Sequence, residues 1–209
     1  MSRPLENRVD PSGEIRAVRA RGTLMGNRGG RIHLAADPET GEGPRLGRRR
    51  WASRQWICCV LSFKGRRRQV MGPGYTELFF LDEATALAAG HRPCFECRRA
   101  EALAFAEAWA DAHALPARPR APEVDAILHP QRLGPRRRAE ARALPDGAML
   151  RLEEGPALKL ADAALPWGWE GYAAPVPLPR GEVETLTPPA ILGVLAAGWR
   201  PRLHPSAGA

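Results

Sequence analysis

Residues 90–99 read GHRPCFECRR, and Cys94 and Cys97 within them are two of the four cysteines in the chain. A Cys-x-x-Cys turn brings two sulfurs close enough to grip one ion, and zinc takes four such ligands in a tetrahedron. One pair is half a site. The remaining donors must come from Cys58, Cys59 and five histidines: His33, His91, His113, His129 and His204. A redox pair is the competing chemistry. Such motifs normally open a helix after a strand, whereas this one follows a helix stop.

Strand geometry narrows the choice. The stretch WICCVLSF at 56–63 reads as extended, so successive side chains point to opposite faces and Cys58 and Cys59 do not readily serve one ion together. Cys59 shares its face with Ile57, Leu61 and Phe63, which is the expected core face and a natural neighbour for a small zinc site. Cys58 lies with Trp56, Val60 and Ser62. Cys59 is therefore favoured, although either thiol also suits a small buried apolar position.

The stretch LFFLDEATALAAGHRPCFEC at 78–97 resembles the second half of the small zinc-binding domain of Ada-type DNA methylphosphotriester repair proteins. There an aromatic strand, an Ala- and Glu-rich helix and a Gly-(aromatic)-Arg-Pro-Cys-x-x-Cys close recur. MGNRGGRIH at 25–33 is similar to the opening of that domain's stand-alone relatives. The resemblance implies that Cys94 and Cys97 are the last two zinc ligands and that His33 is a third. The fourth is open between Cys59, Cys58 and Asp37, with Cys59 preferred. Asp37 stands where the relatives carry a cysteine, and no Cys-x-x-x-Cys exists, so methyl-acceptor chemistry is not implied. His91 replaces an aromatic residue, which points to packing or hydrogen bonding; its spacing to Cys94 leaves ligation as a minor alternative.

Charge bounds the partners. The formal net charge is +8, and arginine supplies almost all of it, because Lys64 and Lys159 are the only lysines. Arg48-Arg49-Arg50 and Arg66-Arg67-Arg68 are the strongest clusters, joined by Arg98-Arg99 and Arg136-Arg137-Arg138. Guanidinium forks phosphate and stacks on bases, so these clusters suggest DNA or RNA, although a solvated basic face has the same composition. No apolar run approaches the roughly 18 residues of a membrane span. The first residues lack the apolar core of a secretory signal, so a reducing cytoplasm is the expected setting.

The elements that must position these residues follow from periodicity and punctuation. Residues 1–14 read as a loose leader, and 15–34 as a strand, a glycine-rich turn and a second short strand. Residues 54–72 read as a β-hairpin turning at Lys64-Gly65 with a basic return arm, and YTELFF at 75–80 as a strand. Asp82 caps a helix that stops at Gly90, and 98–115 is an amphipathic helix burying Leu103, Phe105 or Ala106, and Trp109. The proline-rich 116–122 marks a boundary. Helix in pieces follows, interrupted by Pro130 and Pro135. Then come short strands around the Trp167, Trp169 and Tyr172 cluster, and a helix capped by Thr187. The expected fold is α+β: a zinc-stabilised module at 15–115, a helical linker at 116–142, and a smaller β-rich module with a C-terminal helix at 143–209.

The leading reading is a nucleic-acid-binding protein with a structural zinc. A zinc-dependent hydrolase or nucleic-acid-processing enzyme using His129 or His33 is the alternative, and a module for an acidic protein partner the third. VDAILHPQR at 124–132 also puts Asp125, His129 and Arg132 on one helical face, suited to acid–base or phosphate chemistry or to a plain polar surface.

Overall fold

The structure is a computed structural model that describes residues 4–66 and 69–208. Its architecture is α+β, with helices packed between and against two mainly antiparallel sheets. The first half supplies β1 (Glu6–Val9), β2 (Ile15–Ala17), β3 (Leu24–Arg28), β4 (His33–Leu34), β5 (Arg45–Leu46), β6 (Trp56–Cys59), β7 (Leu78–Phe80), α1 (Glu83–Ala88) and β8 (Arg92–Pro93). Six of these strands form one sheet in the order β2-β1-β7-β3-β6-β8, and β4 and β5 form a separate two-stranded sheet.

Residues 6–9 are not a loose leader. Strand β1 pairs antiparallel with β2 and parallel with β7, burying Asn7 and Val9. The anticipated hairpin also gives way. Lys64 and Gly65 do turn with positive φ, but among the described residues no basic strand returns along β6. Both edges of β6 are taken, by β3 antiparallel and by β8 parallel, so the ladder has no vacancy for that arm. Gly26 makes the β3–β6 approach possible, since a Cβ there would sit 2.0 Å from the Ile57 carbonyl oxygen.

Helix α1 is fully buried and begins where Asp82 Oδ1 accepts the Thr85 N–H at 2.9 Å. It stops in a Schellman motif. Gly90, at φ +80°, donates to the Leu87 carbonyl, and His91 donates to the Ala86 carbonyl. That reversal sends Arg92–Pro93 back as β8 beside β6.

The second half supplies α2 (Arg99–Ala112), α3 (Ala121–Leu133), β9 (Arg137–Glu140), β10 (Met149–Leu152), β11 (Gly155–Leu160), β12 (Ala163–Gly168), β13 (Gly171–Tyr172), β14 (Val176–Pro177), β15 (Glu182–Thr185) and α4 (Pro189–Ala196). The second sheet runs β13-β12-β11-β10-β15-β9, with β14 on β12. Helix α3 continues through Pro130 as one element, and β9 is an edge strand of this sheet. Thr187 does not cap α4; its hydroxyl accepts the Met149 N–H instead.

One core joins the segments on either side of 116–142. Leu87, Phe105 and Trp109 pack with Val124, Leu128, Leu150, Ile191 and Val194. Leu81, Ala84 and Ala88 pack with Met149, Leu158 and Leu186. Asp82 Oδ2 also accepts the Tyr172 hydroxyl at 2.8 Å and the His204 N–H at 3.1 Å. Among the described residues, no helix is long and apolar enough to cross a membrane.

Candidate metal centre

Cys59 ends β6, Cys94 follows β8, and Cys97 closes the turn before α2. The parallel β6–β8 pairing continues past the strand as a hydrogen bond from the Cys94 N–H to the Cys58 carbonyl at 3.0 Å, which brings the Cys-x-x-Cys turn alongside Cys59. The three Sγ atoms all lie within 4.8 Å of one another. A tetrahedral zinc with bonds of about 2.3 Å spaces its sulfurs by roughly 3.8 Å, so the trio fits one ion after small rotations about χ1.

The turn itself is shaped for a sulfur anion. The Glu96 N–H donates to Cys94 Sγ at 3.4 Å, and the N-terminus of α2 begins directly after Cys97. The Cys94 thiol is held well below its usual range, first because Cys59 donates a hydrogen bond to it, and Cys59 is pushed up by the same contact. Burial raises Cys97. An ion would displace the proton that Cys59 and Cys94 share. The helix after Cys97 is also the context of a redox pair; the third sulfur is what sets this arrangement apart from one.

The alternation along β6 separates the two adjacent cysteines, and the core lies on the opposite face from the one anticipated. Cys58 is packed with Val9, Leu24, Leu78, Phe80 and Ala86 beneath α1. Cys59 lies with Met25, Ile57, Tyr75 and Phe79 on the other side. Burial pushes the Cys58 thiol up, as suits an inert core position. Cys58→Ser is therefore expected to cost about 1 kcal/mol in denaturant unfolding and to leave metal content unchanged.

The structure places His33 outside the trio. Thr76 Oγ1 stands 2.6 Å from its Nδ1, and Nε2 meets the Gly72 carbonyl at 2.9 Å. With Nε2 donating and Nδ1 accepting, neither nitrogen is left for an ion. The reading of His33 as a ligand gives way to His33 as a buttress of the 72–76 turn. Asp37 is exposed, its Oδ1 accepting the Glu39 N–H at 2.8 Å. His91 packs rather than ligates, its ring 4.7 Å from Phe80 and 5.1 Å from Trp56, and burial keeps it neutral.

Among the described residues, no fourth Cys, His, Asp or Glu joins the three cysteines. They line a cavity of about 310 Å³ instead, whose wall includes Asn27, Glu77 and Glu96. Glu77 is buried and accepts the Met71 N–H at 2.8 Å, while Glu96 is ion-paired with Arg66 at 2.7 Å. Nothing local in ELFF marks Glu77 as facing a thiol cluster, so the sequence alone does not single it out.

The arginines divide. Arg48, Arg49 and Arg50 are exposed on the loop between β5 and β6, and Arg66 is exposed beside Glu96. Arg67 and Arg68 lie outside the described residues. Arg98 is not a surface cation; it is buried and ion-paired with Glu83. Compared with known protein families, curated proteins and solved structures, the chain matches none.

Proposed function

We propose that this is a zinc-binding protein in which Cys59, Cys94 and Cys97 hold one ion at the floor of a cavity. In this reading the fourth coordination position faces that cavity. The observation that carries it is the meeting of three thiols from two separated segments, 57–59 and 94–97, in one place. Soft thiolates favour zinc, copper(I) or iron–sulfur ligation, and a closed structural zinc would want a fourth protein donor. The strand, the helix stop and the Cys-x-x-Cys together support kinship with Ada-type zinc domains. Substituting cobalt(II) for zinc provides the test. Thiolate-to-cobalt charge-transfer bands are expected, with d–d bands that shift on adding cyanide. Cyanide-insensitive bands would mean a closed site.

Nucleic acid is the partner that charge supports. The exposed Arg48, Arg49 and Arg50 give a phosphate-binding edge in a chain of net charge +8. Replacing all three by glutamine is expected to weaken binding to random-sequence DNA or RNA and to flatten the log–log salt slope by about one unit per lost contact. Wild-type protein that fails to bind either polymer at low salt would remove this partner.

A second reading, a zinc-dependent hydrolase or nucleic-acid-processing enzyme, is favoured by Glu77. A carboxylate on the wall of a cavity floored by a metal with an open position can move a proton for metal-bound water. Neither His33 nor His129 lines that cavity, so the base in this reading is Glu77.

A further inference from the structure

A second cavity, of about 210 Å³, opens on the other side of the β-sheet region, between the turn before β2, the loop after β5 and the end of α3. Among the described residues, it shares no lining residue with the cysteine cavity. Its walls carry Arg28, Arg50, Arg132 and Arg136 together with Trp51 and Trp56, and Glu14 is the acidic residue among them.

Two of these arginines are buried with their hydrogen bonding incomplete. Arg132 is buried, and none of its three guanidinium nitrogens has a hydrogen-bond partner among the described residues; Asp125 Oδ1 stands 3.9 Å from Nη2. Asp125 is already engaged by Arg92, which donates to both its oxygens at 3.1 and 2.7 Å. Arg28 is buried too. Its Nη2 donates to the Gly13 carbonyl, its Nη1 approaches the Arg50 carbonyl, and its Nε is orphaned. Both guanidiniums press on Trp56, 4.0 and 4.5 Å from the ring centroid. Desolvation, with repulsion from Arg132, pushes the Arg28 pKa down to about 9, and desolvation pushes Arg132 down to about 10. Buried guanidinium nitrogens without hydrogen-bond partners are expensive, and an oxyanion in the cavity would offset that cost.

We propose that this cavity is an oxyanion site for a phosphate monoester, held by Arg28 and Arg132 with Arg50 and Arg136 at its rim. Charge selects the ligand class. Four arginines line the cavity with one carboxylate, Glu14, and Asp125, 3.9 Å from Arg132, is shared with Arg92, which leaves an excess of positive charge that a dianion offsets more fully than a carboxylate. A phosphoryl group carries about −1.5 to −2 at pH 7, and its oxygens match the guanidinium fork. Trp51 supplies the neighbouring contact. It is half-exposed at the opening, its ring 6.3 Å from that of Trp56, and suits stacking by a planar base. The ligand is a nucleoside monophosphate, free or as the phosphorylated end of a strand. The inference needs neither the zinc nor the polymer-binding reading, since a free nucleotide satisfies it.

The test is calorimetry and thermal unfolding with inorganic phosphate, a nucleoside 5′-monophosphate, and a short single strand with and without a 5′-phosphate. Phosphate and nucleotide are expected to raise the melting temperature, the nucleotide binding more tightly. Arg132→Met and Arg28→Met are each expected to weaken binding by about thirtyfold or more. Arg132→Lys, which keeps the charge and loses the fork, retains part of it. Arg132→Met is also expected to melt higher than wild type in phosphate-free buffer, which a merely structural arginine would not do. Tighter binding of the 5′-phosphorylated strand than of the mononucleotide supports the site with a strand end as its ligand, and equal binding supports it with a free nucleotide. Wild-type protein unmoved by phosphate and nucleotide, or both Met variants binding as wild type does, would overturn the proposal.

Discussion

Replacing Cys97 by serine is expected to strip the protein of its metal and much of its thermal stability in one step. Wild-type protein purified without chelator should carry about one zinc per chain, and Cys59→Ser, Cys94→Ser and Cys97→Ser should each lower zinc affinity by more than about a hundredfold. The reason is geometric. Three sulfurs within 4.8 Å of one another come from a strand end and a separate turn, so each variant removes a third of the protein's grip. An ion that bridges β6 to the start of α2 contributes its binding free energy to folding. The melting temperatures of the three variants should therefore converge on that of chelator-treated wild type and should no longer respond to chelator. Elemental analysis with melting curves in the presence and absence of chelator checks this. Metal-free wild-type protein with all three thiols freely alkylated would remove the site.

The second large effect lies directly behind the cysteines. Arg98, the residue after Cys97, is ion-paired with Glu83 of α1, both side chains 2% exposed. Glu83 also accepts the Arg202 N–H at 2.9 Å, and Arg98 Nη1 approaches Cys58 Sγ at 3.6 Å, so the pair ties α1, α2, β6 and the C-terminal segment together. Arg98→Met is expected to cost about 3–5 kcal/mol in urea unfolding, because it leaves the Glu83 carboxylate buried and uncompensated. Glu83→Gln alone should cost a similar amount. The double variant should recover a large part of the loss, since neither charge is then stranded. Additive losses in the double variant would mean that the two groups act independently.

What the sequence revealed about the site follows from local rules, and what it concealed follows from long-range ones. Alternation along WICC separates Cys58 from Cys59 whatever the fold does, and that separation holds in the structure. The Asp82 cap and the Gly90 stop are likewise local, and the chain reversal that follows them delivers Cys94 to its place. Which face of β6 meets α1 is not a local property. Both faces carry apolar residues, and only the packing of α1 beneath Cys58 decides between them. Similarly, His33 looks available as a ligand until Thr76 and Gly72, some forty residues away, take both nitrogens. The basic arm after Lys64 has hairpin chemistry, but β8, from a later part of the chain, takes the edge it would need. The helical spacing of Asp125 and Arg132 was readable, and α3 does bury both. That they stand among Arg28, Arg92 and Trp56 required the tertiary structure.

In the proposed centre three cysteine sulfurs, and no other protein atom, bind the ion. X-ray absorption at the zinc edge of the purified protein tests it most directly, because the extended fine structure counts sulfur and light-atom neighbours separately. The expected result is about three sulfurs at roughly 2.3 Å and one oxygen or nitrogen nearer 2.0 Å that is replaced when cyanide is added. Four sulfurs, which would bring in Cys58, or two sulfurs with the multiple-scattering signature of an imidazole, which would restore a histidine, would contradict it.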